Sequence, residues 1–253
     1  MITSDEGDGD VRPLWLSTAP ASVELWARLL AEHCASGLWP LLLDAHATGD
    51  AEFRPWVSGE LFPERMSSPQ AHNSAELLAR WWSVYTKTDE DDDLLIPGER
   101  LAVTAPFGQT WPRPILSHEP VTSADELAAE YAQVFADQHP HARLGLVAAA
   151  CGADTLTAVG WDGPANYDDD TAKFSAVVRD WEYRFGARVV AVGFDTLHLS
   201  VAAPPMCIED ALLVAAEHFA FCPDNIWQGP HPCTLTAYAE RIVGMNSWDF
   251  WWD

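Results

Sequence analysis

The sequence predicts an α+β protein in which a mainly antiparallel or mixed sheet is covered by helices on one face. Apolar residues recur at helical spacing in several segments, and short apolar runs typical of buried strands lie between them. In the second half of the chain these elements follow the order strand, strand, helix, strand, strand, helix. That order favours antiparallel neighbours, with the helices packed against one side of the sheet.

The first half of the chain is predicted to hold two helices and two strands. One helix begins at Ser22, a suitable N-cap, and ends at Gly37, and a buried strand follows it in LWPLLLD. A second helix is predicted in SAELLARWWSVYT, with Ser74 as its cap. PGERLAVTAPFGQTWPRP then predicts a short strand and a proline-rich connection, in which residues 112–114 mark the boundary between the two halves.

The second half is predicted to begin with the helix SADELAAEYAQVFADQ, in which Ser123 and the glutamate three residues later match a capping box. RLGLVAAA and DTLTAVGW are predicted to be strands. The helix DDTAKFSAVVRDWEYRFG should end at Gly186, and ARVVAVGFDTLHLSVAAPP should form two strands that turn near Asp195. IEDALLVAAEHFAFC is predicted to be a helix that ends before Pro223.

The predicted domain organisation has three parts. Residues 1–13 form a disordered acidic arm, residues 14–115 an N-terminal α/β half, and residues 116–253 a C-terminal α+β half. The two halves could also form one continuous domain. The acidic run at residues 89–93 predicts a solvated loop within the first half.

Composition and charge exclude several classes of partner and location. With 14 basic and 38 acidic residues the formal net charge is −24, which opposes binding to nucleic acid and to anionic membranes. No apolar run is long enough to span a membrane, and residues 1–13 lack the apolar core of a signal peptide, so a cytoplasmic location is expected. The five cysteines are scattered and odd in number, which is not the pattern of a disulfide framework.

Several motifs, taken together, resemble a family of uncharacterised bacterial proteins. They are GW.G..N at residues 160–166, WEYRFGA at 181–187, EHFAFCPDN at 217–225, QG at 228–229 and FWWD at 250–253. With GLWPLLL and RLGLV added, the chain is similar to domain-of-unknown-function family 4253 from about Trp26 to the C-terminus. The resemblance implies a soluble bacterial protein and supplies no activity. The HPC segment at residues 231–233 departs from the family pattern.

The segment AEHFAFCPDNIWQG, residues 216–229, concentrates reactive side chains. One interpretation is Cys222 as a nucleophile with His218 as its base, because residues four apart are neighbours on a helix surface. Two features oppose it: Cys222 lies on the apolar stripe of the helix, and the negative end of the helix dipole disfavours a thiolate there. A packing cysteine at the end of a helix is the simpler interpretation.

A zinc site is a second interpretation of the same segment. Its ligands would be His218, Cys222, His231 and Cys233, two pairs of nitrogen and sulfur donors that suit tetrahedral zinc. Their spacing matches no common zinc pattern. No cofactor other than this zinc is expected.

Carboxylates offer a third interpretation. The carboxylates of Asp195, Glu182, Asp224 and Asp253 could act with His198 or His218 as general acid and base. Structural roles compete with this chemistry, because Glu182 can pair with arginines of its own helix and Asp195 suits a turn.

The 13 tryptophans are also unusual, and the pairs at residues 81–82 and 251–252 should each point one ring inward and one outward. We therefore expect function where the Cys-Pro-Asp turn, the Asn166 loop and the Trp-Trp-Asp tail come together. The residues expected at a ligand or partner surface are Asn166, Trp161, Asp224, Gln228, Trp251, Trp252 and Asp253.

The favoured function is non-catalytic binding of a protein partner, immunity-like or regulatory, or of a small ligand. A basic protein partner suits the acidity of the chain. The alternative is a hydrolytic enzyme that uses His218 with Asp195 or Glu182, or a zinc ion held by His218 and Cys222.

Overall fold

The computed structural model describes residues 1–3, 12–46, 52–87, 97–114 and 122–253. Most of the predicted acidic arm, residues 4–11, lies outside the described residues, and so does the acidic run at residues 89–93. Among the described residues, no helix combines the length and the apolar character needed to cross a membrane.

The strands form one six-stranded mixed sheet in the order β1-β3-β2-β4-β5-β6. Neighbouring strands are antiparallel except β2 and β4, which run parallel. The α+β class and the mixed sheet are thus as the sequence predicted. The strands are β1 (Trp15–Pro20), β2 (Leu38–Leu43), β3 (Arg143–Ala148), β4 (Ala187–Val192), β5 (Thr196–Val201) and β6 (Ser247–Trp251).

Helices connect the strands and cover the sheet. Short 3-10 turns at Pro63–Arg65 and Pro69–Ala71 lie in the connection after β2. The helices are α1 (Val23–Ala31), α2 (His33–Ser36), α3 (Ser74–Tyr85), α4 (Pro97–Val103), α5 (Ala124–Gln138), α6 (Gly152–Val159), α7 (Ala172–Phe185), α8 (Ile208–Phe221), α9 (Asp224–Trp227) and α10 (Leu235–Ile242).

The helices lie against both faces of the sheet, whereas the sequence predicted one face. On β6, Asp249 accepts a hydrogen bond from Tyr131 of α5, while the next residue, Phe250, stacks on Trp181 of α7. Successive residues of a strand point to opposite faces, so α5 and α7 cover different sides. The physical reason is visible in β4, where all residues but one are buried, as in strands covered on both faces.

Strands from both predicted halves share this sheet. β1 and β2 come from residues 14–115, and β3, from residues 116–253, lies between them. β2 pairs with β3 along its whole length, from Leu38 opposite Ala148 to Leu43 opposite Arg143. One apolar core therefore contains side chains from both halves.

Helix ends follow the predicted signals closely, with three differences. The helix predicted from Ser22 to Gly37 is two helices, α1 and α2, that meet at Glu32. The Ser22 side chain caps α1 by accepting from the Leu25 N–H, and Gly37 ends α2 with a positive φ of 68°. The cap of α3 is Asn73 rather than Ser74. Ser123 occupies the cap position of α5 but its side chain makes no capping hydrogen bond, so the predicted capping box does not form.

Two segments predicted as strands are helical. DTLTAVGW lies in α6, because its buried residues recur at helical spacing and Gly160 ends the helix in the left-handed conformation. LAV after PGER lies in α4. β1 was not predicted, and its short sequence is exposed at most positions, which gives a weak strand signal.

The tryptophan pairs differ from each other. Trp252 is buried and Trp251 is exposed, in agreement with the predicted alternation. Trp81 and Trp82 are both buried, because α3 is covered on two sides: Trp81 stacks on Phe174 of α7 and Trp82 meets Phe219 of α8.

Candidate functional site at one end of the sheet

The parallel strands β2 and β4 finish side by side, with Leu43 opposite Val192. β6 finishes at the same end, because Trp251 pairs with Thr196 at the start of β5. In open sheets with parallel strands, ligands bind in the crevice beyond the carboxyl ends of those strands. We call this end the β2–β4 end and define it by residues 44–46, 193–196 and 251–253.

His218 of α8 lies in an aromatic cage behind this end and is fully buried. Its ring meets Trp248 at 4.5 Å and Phe250 at 4.9 Å, and its Nδ1 lies 2.9 Å from the Tyr238 hydroxyl. Burial lowers the pKa of His218 to about 3, and the charge of Arg184 acts in the same direction. An imidazole that stays neutral and has no access to solvent is placed to pack and does not reach a substrate.

Cys222 ends α8 in the same interior. Its thiol is buried and lies 2.9 Å from the Trp251 carbonyl oxygen, to which it donates. Burial raises the pKa of Cys222 far above the ordinary value. The geometry therefore gives no thiolate, and the proposed Cys222 and His218 pair lacks both an ionised nucleophile and an accessible base.

The four proposed zinc ligands are not brought together. His218 and Cys222 make the core contacts just described, whereas His231 and Cys233 lie 3.5 Å from each other in the loop before α10. Across the described ranges, no group of three or more His, Cys, Asp or Glu side chains is arranged to hold a metal ion.

The family motifs WEYRFGA and EHFAFCPDN meet in a buried ion pair between α7 and α8. The Glu217 carboxylate accepts from Trp181 Nε1 at 2.8 Å and from Arg184 Nη1 at 3.0 Å, and Arg184 also binds Asp180 at 2.7 Å. Burial raises the pKa of Glu217, although the hydrogen bonds and charge of Arg184 oppose the rise. The Glu217–Arg184 pair joins α8 to α7 and is almost entirely shielded from solvent.

The Cys-Pro-Asp turn and the C-terminal tail are joined by Asn225 and Asp224 of α9. The Asn225 amide donates to the Asp249 carbonyl at 2.7 Å and accepts from the Trp251 N–H at 3.1 Å, so it covers the outer edge of β6. The Asp224 carboxylate accepts from the Asp253 N–H at 3.1 Å.

The loop that contains Asn166 contacts α9 through the next residue, Tyr167, whose hydroxyl donates to the Asp224 carboxylate at 2.6 Å. Gln228 Nε2 also donates to Asp224, at 3.1 Å. The structure therefore brings the turn, the loop and the tail together. Of the seven residues expected at a surface, Trp161, Asp224 and Trp252 are buried, and Asn166, Gln228, Trp251 and Asp253 are exposed.

The other proposed acid and base residues do not converge. Asp195 is half-buried in the turn after β4, where its carbonyl accepts from the Trp252 N–H. Glu182 lies beyond the opposite end of the sheet, where its carboxylate accepts from the Ala153 N–H at 3.0 Å at the start of α6. Burial raises the pKa of Glu182, and the Cys151 thiol and the Ala153 N–H oppose this by hydrogen bonding.

Two histidine–carboxylate pairs lie near the β2–β4 end, and neither pairing was predicted from the sequence. His198 Nδ1 lies 2.8 Å from Asp249, and His139 Nδ1 lies 2.6 Å from Asp44. The two imidazole rings are 6.2 Å apart. Partial loss of hydration tends to raise the pKa of Asp249, whose side chain remains 56% exposed. The hydrogen bonds from His198 and Tyr131 and the charge of His198 outweigh this effect, so the pKa is lowered. No local pattern signals these contacts, because the partners come from distant segments.

A cleft at the same end was also missed. It has a volume of about 210 Å³. Phe194, which follows β4, forms one wall, and the segment after β2 forms the other. The residues that line it are Arg54, Pro55, Glu60, Phe62, Asp162 and Phe194.

The architecture defines an α+β protein whose mixed sheet is covered on both faces. Its segments WEYRFGA and EHFAFCPDN form a buried cluster of aromatic rings around an ion pair. Residues 143–253 match the family model described as a domain of unknown function (DUF4253). The match covers β3 to β6 and every motif on which the resemblance rested except GLWPLLL, which precedes it. Neither the curated proteins nor the solved structures compared with the chain gave a match.

Proposed function

We propose that the protein is a non-catalytic binder of a basic protein partner, in an immunity-like or regulatory role. The single observation that carries the proposal is an exposed tryptophan set among carboxylates on a rigid support. The contact surface, which we call the junction surface, consists of Asn166, Gln228, Asp249, Trp251 and Asp253.

Trp251 supplies the aromatic anchor of this surface. Its side chain is 37% exposed, whereas Trp252 next to it is buried. The Trp251 backbone is fixed from two sides, by the Asn225 side chain and by the Cys222 thiol. A tryptophan held in place before binding loses little conformational entropy, and such residues often dominate protein interfaces.

Charge complementarity supports a basic partner. The Asp249 side chain is 56% exposed, and Asp253 is exposed at the end of the chain. The formal net charge of −24 adds a long-range field that attracts cationic proteins and accelerates their association.

The buried catalytic candidates favour binding over the hydrolytic alternative. His218 and Cys222 make core contacts, and Asp195 and Glu182 lie at different ends of the sheet. An active site needs such groups within hydrogen-bond reach of one substrate position.

The test is site-specific photo-crosslinking in the native cell with benzoylphenylalanine at position 251. The matched control position is Tyr183 of α7, which is 85% exposed. We expect one basic protein to crosslink from position 251 and not from position 183.

The captured partner is then purified and titrated calorimetrically with the wild type, Trp251→Ala and Tyr183→Ala. Trp251→Ala should weaken binding by about tenfold or more, and added salt should weaken it further. Equal affinity for the three proteins would overturn the proposed surface. An acidic or neutral partner would overturn the charge argument.

A hydrolytic activity is a second candidate, and His198 with Asp249 is the observation that favours it. The imidazole is partly exposed and its Nδ1 faces a carboxylate, which leaves Nε2 to act as a base. Hydrolysis of chromogenic esters or phosphodiesters that is lost in His198→Gln and kept in His218→Phe would support it. No turnover by the wild type would count against it.

A further inference from the structure

We propose that the cleft at the β2–β4 end binds a small organic cation, an alkylamine or a guanidine. The cleft is separate from the junction surface, and none of its lining residues belongs to that surface. The proposal therefore stands independently of the protein partner.

Both walls of the cleft are held by hydrogen bonds to backbone carbonyls. Trp161 Nε1 donates to the carbonyls of Gly193 and Phe194, at 3.0 and 3.1 Å, which holds the Phe194 turn. The opposite wall is held by the Phe62 N–H, which donates to the Gly160 carbonyl at 2.9 Å. A ligand site whose walls are already in place binds without a large ordering cost.

Gly160 allows the backbone of Phe62 and Pro63, in the second wall, to pass close to its own backbone. Its φ is +66°, and a Cβ at this position would lie 2.0 Å from the Pro63 nitrogen. Glycine is therefore required on both conformational and steric grounds. The first glycine of the GW.G..N motif shapes the cleft wall.

The aromatic walls suit a cation. The rings of Phe62 and Phe194 line the cleft. The chain already places guanidinium groups over both rings, with Arg65 at 3.9 Å from the Phe62 centroid and Arg54 at 5.1 Å from the Phe194 centroid. Cation–π attraction therefore operates at both rings, and a ligand cation would share these rings with Arg54 and Arg65.

One guanidinium and two carboxylates line the cleft. Arg54 and Glu60 form a two-pronged ion pair with both N–O distances at 2.7 Å. Asp162 is the second lining carboxylate, and no described residue donates a hydrogen bond to it. Burial raises its pKa, which the nearby Arg65 only partly opposes. A ligand cation would give the Asp162 carboxylate the hydrogen-bond donor that the described residues do not supply, and would add to the field of Arg65.

The volume limits the size of the ligand. A cleft of about 210 Å³ holds the equivalent of about seven water molecules in the liquid. A short diamine or an aminoalkyl guanidine fits that space, whereas a nucleotide does not. Agmatine, which carries an ammonium and a guanidinium on a butyl chain, is therefore a suitable probe.

Isothermal titration of the full chain with agmatine tests the proposal, with 1,4-butanediol as the neutral probe of similar length. We expect saturable binding to one site with Kd below about 1 mM, and no binding of the diol. Asp162→Asn should weaken agmatine binding by about tenfold, and Phe194→Leu should weaken it as well. The control variant Glu130→Gln removes one exposed charge from α5 and should bind as the wild type does.

Three results would overturn the proposal: no saturable binding of agmatine, equal binding of the diol, or the same weakening in Glu130→Gln as in Asp162→Asn. The last result would indicate general attraction to an acidic surface. Thermal unfolding of each variant verifies that it is folded, and if Asp162→Asn is unfolded, Phe194→Leu alone decides between the outcomes.

Discussion

His218 and His198 lie on opposite sides of the β5–β6 ribbon and have different surroundings. His218 packs against Trp248 and Phe250, which point to the α7 and α8 side. His198 pairs with Asp249, the residue between them, on the α5 side. Successive residues of a strand point to opposite faces of the sheet. Trp248 and Phe250 therefore enter the apolar core, whereas Asp249 belongs to a partly exposed polar cluster. His218 thus packs in the core, and the exposed polar side chains of this ribbon lie on the other face.

Of the variants considered, Arg184→Met should destabilise the core on the α7 and α8 side most. This change leaves the Glu217 carboxylate buried without its cation, which should lower the free energy of unfolding by about 3–5 kcal/mol. Urea unfolding at neutral pH measures it. Arg188→Met is the matched control, because its partner Asp125 is 56% exposed and such a pair contributes about 1 kcal/mol or less. Equal losses in the two variants would show that burial does not distinguish the pairs.

Neighbouring residues of β6 give a second contrast. Phe250→Ala should cost about 3–5 kcal/mol because it leaves a cavity between Trp181 and Phe221. Trp251→Ala removes an exposed ring and should change stability by about 1 kcal/mol or less. Chemical denaturation of both variants makes the comparison. A larger loss for Trp251→Ala would contradict the assignment of Trp251 to a surface role.

The pH dependence of stability should report His218. Its folded pKa of about 3 is below the ordinary histidine value of 6.5, so the unfolded chain binds a proton first as the pH falls. The stability from neutral His218 is complete above pH 6.5 and is lost progressively down to about pH 3, by about 2 kcal/mol at pH 5.

His218→Phe removes this contribution, so the difference in unfolding free energy between the wild type and the variant should shrink from pH 7 to pH 5. Urea unfolding at several pH values measures the difference. A constant difference across this window would show that His218 is accessible to protons in the folded state.

The smallest effect is expected on the polar side. His198→Gln removes the hydrogen bond and the charge that help to hold the pKa of Asp249 low, so that pKa should rise. Carboxyl carbon chemical shifts, followed by NMR over a pH titration, measure the change. The Asp249 pKa should stay unchanged in His218→Phe, because that ring lies across the strand.

Much of the fold could be predicted because its signals are local. Gly186 ends α7 and Pro223 follows α8, and the β4–β5 hairpin follows from two apolar runs around a turn. α6 could not be predicted, because DTLTAV alternates like a strand and tertiary packing decides its state. The convergence of turn, loop and tail could be anticipated from their polar and aromatic content. The His139–Asp44 contact could not, because its partners are 95 residues apart.

The side chain of Asn225 bears on whether two molecules of this protein can pair through β6. β6 is the last strand of its sheet, and a bare last strand can recruit the strand of another molecule and seed fibrous assembly. By bonding to the Asp249 carbonyl and the Trp251 N–H, Asn225 takes the places that such a strand would occupy. Together with the Cys222 thiol at the Trp251 carbonyl, this amide prevents another strand from pairing with β6.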